Sequence, residues 1–522
     1  MRTLFIIGFI VVAVGGGLFL MARPPAPDEP TGAASASVSG GALTGVAYPG
    51  YNVFRGVPYA KAARWSAPEP ADGWAGALDA SAFGDVCPQA PVDPEVRVRL
   101  GGSNAPSSED CLNLNIWAPA KADGAAVMVW IHGGGNVQGA SSLPFYDGRA
   151  FARSGVVFVS INYRLGPLGF FAHPLLTIEA APDAPLGNYG LMDQIAALQW
   201  VQENVEAFGG DPAKVTVFGE SAGGANILAL LSTDAARGLF RHAIVQSGGG
   251  WSPTPSLAAR ERAGAAAASS VGLAEDAAVE DLRALPLDRL QGLLFYAGAG
   301  PMADGRFLTE SPADAFAAGR AIDVPLIIGS NSGEDSLMDS LGIAPEAVLA
   351  AVPAEAMTAA RAAYNPDNEQ TFARDLYRDA VMGAPAEAIA SAAAAGAPSY
   401  LYYFDRVPRL ATLQTQRAPH GVEILFIFRT LDKSPVPVPA LAPSDRATGR
   451  LMHGCWVSFA KTGEPDCPNS DDWPAYAAQG GETYVIGGKA EPVVGFHETK
   501  YAWHSPAFTR SLWAVRTRLD PE

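Results

Sequence analysis

Positive charge, histidine and cysteine are all scarce in this chain. Lys and Arg number 36 against 53 Asp and Glu, leaving a net charge of −17. That balance argues against nucleic acid or an anionic membrane surface as partner, since both repel an acidic protein. A neutral small molecule is indifferent to it. Charged residues are only 17% of the chain and apolar residues 48%, which excludes a disordered polymer. No segment recurs at a fixed period, so a solenoid or propeller is excluded as well. The four cysteines, Cys87, Cys111, Cys455 and Cys467, contain no Cys-x-x-Cys and no metal-ligand spacing.

One long apolar run is present, at the N-terminus. As a helix, Leu4–Ala22 would reach roughly 28 Å, about one bilayer core. Arg23-Pro24-Pro25-Ala26-Pro27 and the Ala/Ser/Gly stretch after it have the composition of a flexible linker. The expected organisation is a membrane anchor or signal segment at 1–22, a linker at 23–43 and one folded domain at 44–522. Leu20 is too bulky for a good cleavage site at Ala22, which favours the anchor over a cleaved signal. Either segment exports the chain to the cell envelope, periplasm or exterior. In an exported protein the two sequence-local cysteine pairs are expected as disulfides, Cys87–Cys111 and Cys455–Cys467. Four buried free thiols are the alternative.

Between about 112 and 246 the pattern alternates between strand and helix. Short apolar runs at 112–118, 126–131, 156–162, 215–218 and 243–246 suit strands buried on both faces. Leu191, Ile195, Leu198, Val201, Val205 and Phe208 fall at helical spacing, and Gly209-Gly210-Asp211-Pro212 ends that helix. Such alternation predicts a parallel, right-handed, doubly wound sheet. Further strands are expected at 324–329 and 400–404, separated by Ala-rich helical stretches that could wall a pocket.

Val215-Thr216-Val217-Phe218 runs into Gly219-Glu220-Ser221-Ala222-Gly223 and then a helical pattern. This is the strand–turn–helix setting of a nucleophile elbow, with Ser221 as the candidate nucleophile. A serine of this kind needs oxyanion donors, a base and an acid that orients the base. His132-Gly133-Gly134-Gly135 follows a strand upstream, where bare backbone amides can approach a substrate. Among the seven histidines, those after the elbow are His420, His453, His497 and His504. His420 lies in a loop that opens the apolar segment 422–428, where a scaffold presents catalytic groups. His453, His497 and His504 are expected to be structural. The acid should follow the strand at 324–329, where Glu334 and Asp335 stand side by side. Position does not separate them.

Several motifs occur in a fixed order. They include Phe54-Arg55-Gly56-Val57-Pro58-Tyr59-Ala60, Ser108-Glu109-Asp110-Cys111-Leu112-Asn113 and Asn162-Tyr163-Arg164-Leu165-Gly166. Gly187-Asn188-Tyr189-Gly190-Leu191, Gln246-Ser247-Gly248, Gly329–Ser336 and His420-Gly421-Val422-Glu423 continue the series. Together with the elbow and the glycine loop, they make the chain resemble the type-B carboxylesterases, the family that includes the cholinesterases. The resemblance covers about residues 44–510. It implies an α/β-hydrolase fold, a large mostly parallel central sheet flanked by helices, with helical insertions forming an active-site gorge. It implies the triad Ser221, Glu334 and His420, favouring Glu334 over Asp335. It also implies an oxyanion hole from the amides of Gly134, Gly135 and Ala222, and the Cys87–Cys111 disulfide. The activity implied is hydrolysis of a small-molecule carboxylic ester through an acyl-enzyme, with no metal or dissociable cofactor. Lipase- or thioesterase-like hydrolysis is the alternative, and a non-catalytic adhesion relative the reading from another class.

Departures from the family pattern carry their own expectations. Asn136 stands where an aromatic is usual after the glycines, which predicts a more polar mouth to the hole. Asp335 replaces a glycine beside the acid. The 88–110 loop holds no aromatic residue, so it offers no π face for a quaternary ammonium, and a choline-ester specialist is disfavoured.

Overall fold

Among the described residues thirteen strands form one sheet, and the chain's chemistry collects at one edge of it. The structure is a computed structural model describing residues 28–517, apart from 90–92, 100–101, 293–298, 409–414, 434–441 and 478–480. The expected anchor or signal at 1–22 lies outside the described residues. No helix among those described is long and apolar enough to cross a membrane.

The strands are β1 (Gly32–Val38), β2 (Gly41–Tyr48), β3 (Tyr51–Pro58), β4 (Ala77–Asp79), β5 (Asn113–Pro119), β6 (Ala125–Ile131) and β7 (Val157–Ile161). They continue with β8 (Gly210–Glu220), β9 (His242–Gln246), β10 (Leu326–Asn331), β11 (Ser399–Phe404), β12 (Glu482–Ile486) and β13 (Ala490–Val494). Their spatial order is β1-β2-β3-β5-β7-β6-β8-β9-β10-β11-β12-β13, with β4 paired to β2. From β7 to β12 every pair is parallel. The N-terminal strands β1, β2, β3 and β5 and the closing β12–β13 hairpin are antiparallel additions. The sheet is therefore mixed, and the run at 112–118, expected among the parallel strands, pairs antiparallel with both of its neighbours.

Strand pleating sends alternate residues to two cores. On β6, Val127, Val129 and Ile131 enter one apolar cluster, while Met128 and Trp130 enter the other. Val217 and Phe218 on β8 divide the same way. The first face is covered by α1 (Tyr189–Asn204) and α2 (Ala222–Leu231), through Leu191, Leu198, Ile227 and Leu231. A third, separate cluster gathers Met338, Val348, Phe372 and Leu376, with α3 (Glu369–Arg378) among the inserted helices. The second face is covered by α4 (Glu423–Ile427) and α5 (Pro443–Thr462), through Phe426, Met452, Trp456 and Phe459. Each such side chain contributes about 1.5–3 kcal/mol on leaving water.

One further expectation is corrected here. The linker at 23–43 does not hold for its second half, because Gly32–Val38 and Gly41–Tyr48 form a paired hairpin at the sheet edge. Composition misled: Ala and Ser are small enough to flank a strand, and Ala34 and Leu43 pack into the core. The apolar segment after His420 is the short helix α4, whose residues cover the sheet face. Both expected disulfides form, Cys87–Cys111 and Cys455–Cys467.

Candidate active site

Parallel neighbours present their C-terminal ends on the same side, and in such sheets that edge is where ligands bind. Here β6 ends at Ile131 before the glycine loop, β8 at Glu220 before Ser221, and β9 at Gln246 before Ser247. β10 ends at Asn331 before Glu334, and β11 runs out toward the loop bearing His420.

Ser221 has φ 55° and ψ −123°, a strained backbone for a residue with a side chain. Its amide donates to Gln246 O at 2.9 Å, and its carbonyl accepts from Ala225 N at 2.9 Å. The glycines around it answer to close backbone approach. A Cβ on Gly219 would lie 2.6 Å from Ile131 O, and one on Gly223 2.1 Å from the same atom. A Cβ on Gly133 would lie 3.2 Å from Ser221 Cβ, so the glycine loop runs directly beside the elbow. Among the described residues, no backbone or side-chain acceptor takes the amides of Gly134, Gly135 or Ala222.

Glu334 is fully buried and held at both oxygens. Oε1 accepts from Asn331 N at 2.7 Å and from the Ser247 hydroxyl at 2.5 Å. Oε2 lies 2.5 Å from His420 Nδ1. Asp335 faces elsewhere, pairing with Arg374 at 3.0 Å and Arg417 at 3.5 Å. The loops bearing Glu334 and His420 are stitched together. Gly333 N donates to Ala418 O at 2.8 Å, Ala418 N to Ser332 Oγ at 2.8 Å, and His420 N to Ser336 Oγ at 3.0 Å.

The other imidazole nitrogen, Nε2, lies 3.2 Å from Glu220 Oε1, and Ser221 makes no hydrogen bond to it in this state. Catalytic hydrogen bonds in unliganded enzymes tighten on binding substrate. Burial would depress His420, but the charges of Glu220 and Glu334 outweigh it and raise the imidazole to about 10. Burial, with Glu423 and Glu334 nearby, pushes the Glu220 carboxyl up to about 8. Glu423, three residues after His420, is also buried. It accepts from Gln246 Nε2 at 3.1 Å and Asn331 Nδ2 at 2.5 Å. Three carboxylates thus crowd one imidazole, and among the described residues no group of acids and histidines is arranged to hold a metal ion.

Sequence reasoning named Ser221, Glu334 and His420 but gave no role to Glu220, Ser247, Asn331 or Glu423. Glu220 is the variable position of the elbow motif and Ser247 and Glu423 sit in motifs already singled out, so that placement was the available signal. His453 bonds Ile427 O and Ser154 Oγ at 2.8 Å each, and His504 bonds Tyr364 at 2.5 Å. Neither meets the elbow.

The corrected feature here is Asn136. It is 4% exposed and turned inward onto Asn226, so its amide does not line the mouth of the hole.

A mostly parallel sheet carrying a strained serine, a glycine loop beside it and a carboxylate–histidine pair at one edge defines an α/β-hydrolase of the serine hydrolase class. The chain belongs to the carboxylesterase family, whose pattern it matches over residues 33–352 and 344–502. It is 36% identical over 478 residues to the para-nitrobenzyl esterase of Bacillus subtilis (strain 168), covering 85% of this chain and 93% of that protein. It is 35% identical to the fumonisin B1 esterase of Sphingopyxis macrogoltabida, over 82% of each chain. Among solved structures, a PNB esterase superposes with TM-score 0.79 at 33% identity, covering 90% of this chain and 99% of the other. A Geobacillus stearothermophilus carboxylesterase gives 0.77 at 34% identity, over 90% and 100% of the two chains. This protein is a serine carboxylic ester hydrolase.

Proposed function

We propose that Ser221 attacks the carbonyl carbon of a small-molecule ester, with His420 as base, Glu334 as the acid that orients it, and the amides of Gly134, Gly135 and Ala222 as the oxyanion hole. The carrying observation is the 2.5 Å contact of Glu334 with His420 Nδ1, which leaves Nε2 facing the elbow. His420 takes the Ser221 proton as the oxygen adds to the carbonyl, and the three amides hold the oxyanion. As the tetrahedral intermediate collapses, His420 passes the proton to the leaving alcohol. Water, deprotonated by His420, then adds to the acyl-enzyme and releases the acid and the free serine. Each oxyanion donor is worth about 3 kcal/mol in the transition state. Ser221→Ala should abolish turnover of a short-chain nitrophenyl ester; undiminished turnover would sink the assignment.

We propose further that the enzyme lies outside the cytoplasm, tethered through Leu4–Ala22. The apolar run and the two disulfides support it, since disulfides persist in oxidising compartments. Mass spectrometry of the mature envelope protein checks it. A mature chain starting after Ala22 would remove the tether.

A further inference from the structure

The oxyanion donors come from two elements, Gly134 and Gly135 from the loop after β6, and Ala222 from the first turn of α2. Their separation must be fixed within a fraction of an ångström for the hole to favour the transition state over the ester. The loop's own turn closes on Gly134 O, which accepts from Val137 N at 3.1 Å and Gln138 N at 3.2 Å, and leaves the Asn136 side chain to other elements. The loop carries Gly133, Gly134, Gly135 and Gly139, each removing side-chain contacts and adding backbone freedom. Its far end is anchored by Gln89, which donates to Gly139 O at 2.9 Å and accepts from Gly139 N at 3.2 Å.

The middle of the loop is held differently. Asn226 Nδ2 donates to Asn136 Oδ1 at 2.9 Å, and Asn136 Nδ2 donates back to Asn226 Oδ1 at 3.3 Å. Asn226 is completely buried on α2 and Asn136 is 4% exposed. Asn136 has φ 60°, a left-handed conformation that asparagine tolerates better than most residues with a side chain. Its carbonyl accepts from Gly166 N at 2.6 Å. The Tyr163 hydroxyl bridges His132 O at 2.8 Å and Asn136 Oδ1 at 3.4 Å, which extends the network back to the start of the loop.

We infer that Asn136 and Asn226 are positioning residues, a reciprocal amide clasp that sets the loop donors against the helix donor. The inference rests on the assignment of Ser221 and the hole made above. Neither side chain touches the ester. Their effect passes through the placement of the Gly134, Gly135 and Ala222 amides. A buried pair of this kind also tolerates only paired change, because truncating one amide leaves the other unpartnered.

The test uses Asn136→Ala, Asn226→Ala and the paired apolar variant Asn136→Leu/Asn226→Leu in the full-length enzyme. Each Ala variant should lower kcat roughly 10- to 100-fold, with KM within about threefold of the parent. Affinity for an aryl trifluoromethyl ketone, which forms an oxyanion in the hole, should fall by the same factor as kcat. The paired Leu variant should recover part of the thermal midpoint lost in the Ala variants, since no buried amide is left unpartnered although leucine is strained at a φ of 60°, yet recover neither kcat nor ketone affinity. A paired variant that restores kcat along with the midpoint would make the clasp merely structural and overturn the inference. So would Ala variants with parental ketone affinity. Ser221→Ala separates the two layers: turnover there would remove the nucleophile assignment, whereas a dead Ser221→Ala beside a fully active Asn136→Ala removes only the clasp.

Discussion

At the scale of single residues, Glu220 changes the electrostatics that the triad alone would suggest. It faces His420 Nε2 while Glu334 faces Nδ1, and both charges hold the imidazole proton against the effect of burial. A protonated histidine cannot act as base, so kcat/KM should rise with pH as His420 is freed. Glu220→Gln removes one of the charges that raise the imidazole, and the acid limb of the kcat/KM profile should move to lower pH. An unmoved limb would mean that Glu220 does not reach His420 in the working enzyme. Glu334→Gln should cost on the order of 10³-fold in kcat, because the amide cannot hold the working tautomer or stabilise the imidazolium. Asp335→Asn should stay within about threefold in kcat, since Asp335 pairs with Arg374 and Arg417 and makes no contact with His420. The reverse ranking in steady-state kinetics would exchange the two acids.

At the scale of elements, α2 is pressed against the end of β6 and glycine is what permits it. A Cβ at Gly223 would meet Ile131 O at 2.1 Å and His132 O at 2.8 Å, both backbone atoms that cannot rotate away. Gly223→Ala should therefore separate the nucleophile helix from the glycine loop, lowering both the thermal midpoint and kcat; a parental kcat would show that the two elements move independently. The Cys87–Cys111 bridge acts on the same loop from its other side, because Gln89 follows Cys87 closely and anchors Gly139. Replacing both cysteines by alanine should cost roughly 3–4 kcal/mol on the chain-entropy account, read as a shift in the urea midpoint. Esterase activity should fall with it.

At the scale of the molecule, several histidines are buried as neutral groups. Burial lowers His132, His242, His453, His497 and His504 to about 4 each. Between the unfolded value near 6.5 and about 4, the unfolded chain binds these protons and the folded one does not. Stability then falls as the pH drops through that window, by about 1.4 kcal/mol per pH unit for each histidine. Glu220, Glu387 and Glu423 oppose this, because burial raises their carboxyls and the folded state binds their protons first. Burial lowers His173 as well, so six groups stand against three. Urea midpoints should decline on acidification from pH 6.5 to 4.5, and a rise across that range would show that the buried carboxyls dominate.

Local chemistry was legible wherever a short stretch specifies its own conformation. The elbow around Ser221, the glycine loop, the parallel strands and the Leu191–Val201 helix all follow from side-chain period and glycine placement, which need no distant partner. The hairpin Gly32–Tyr48 was not legible, because its small residues form strands only with a neighbouring strand to accept their hydrogen bonds. Nor was the crowding of Glu220, Glu334 and Glu423 around His420. Those residues are up to 203 positions apart, and Glu423 enters only because α4 folds back over the sheet. Asn136 shows the division most clearly. The sequence by itself determined that a polar residue would follow the glycines; only the tertiary structure decided that it faces Asn226 and not the mouth. A side chain's direction is set by what lies across from it in space, and the chain order does not contain that.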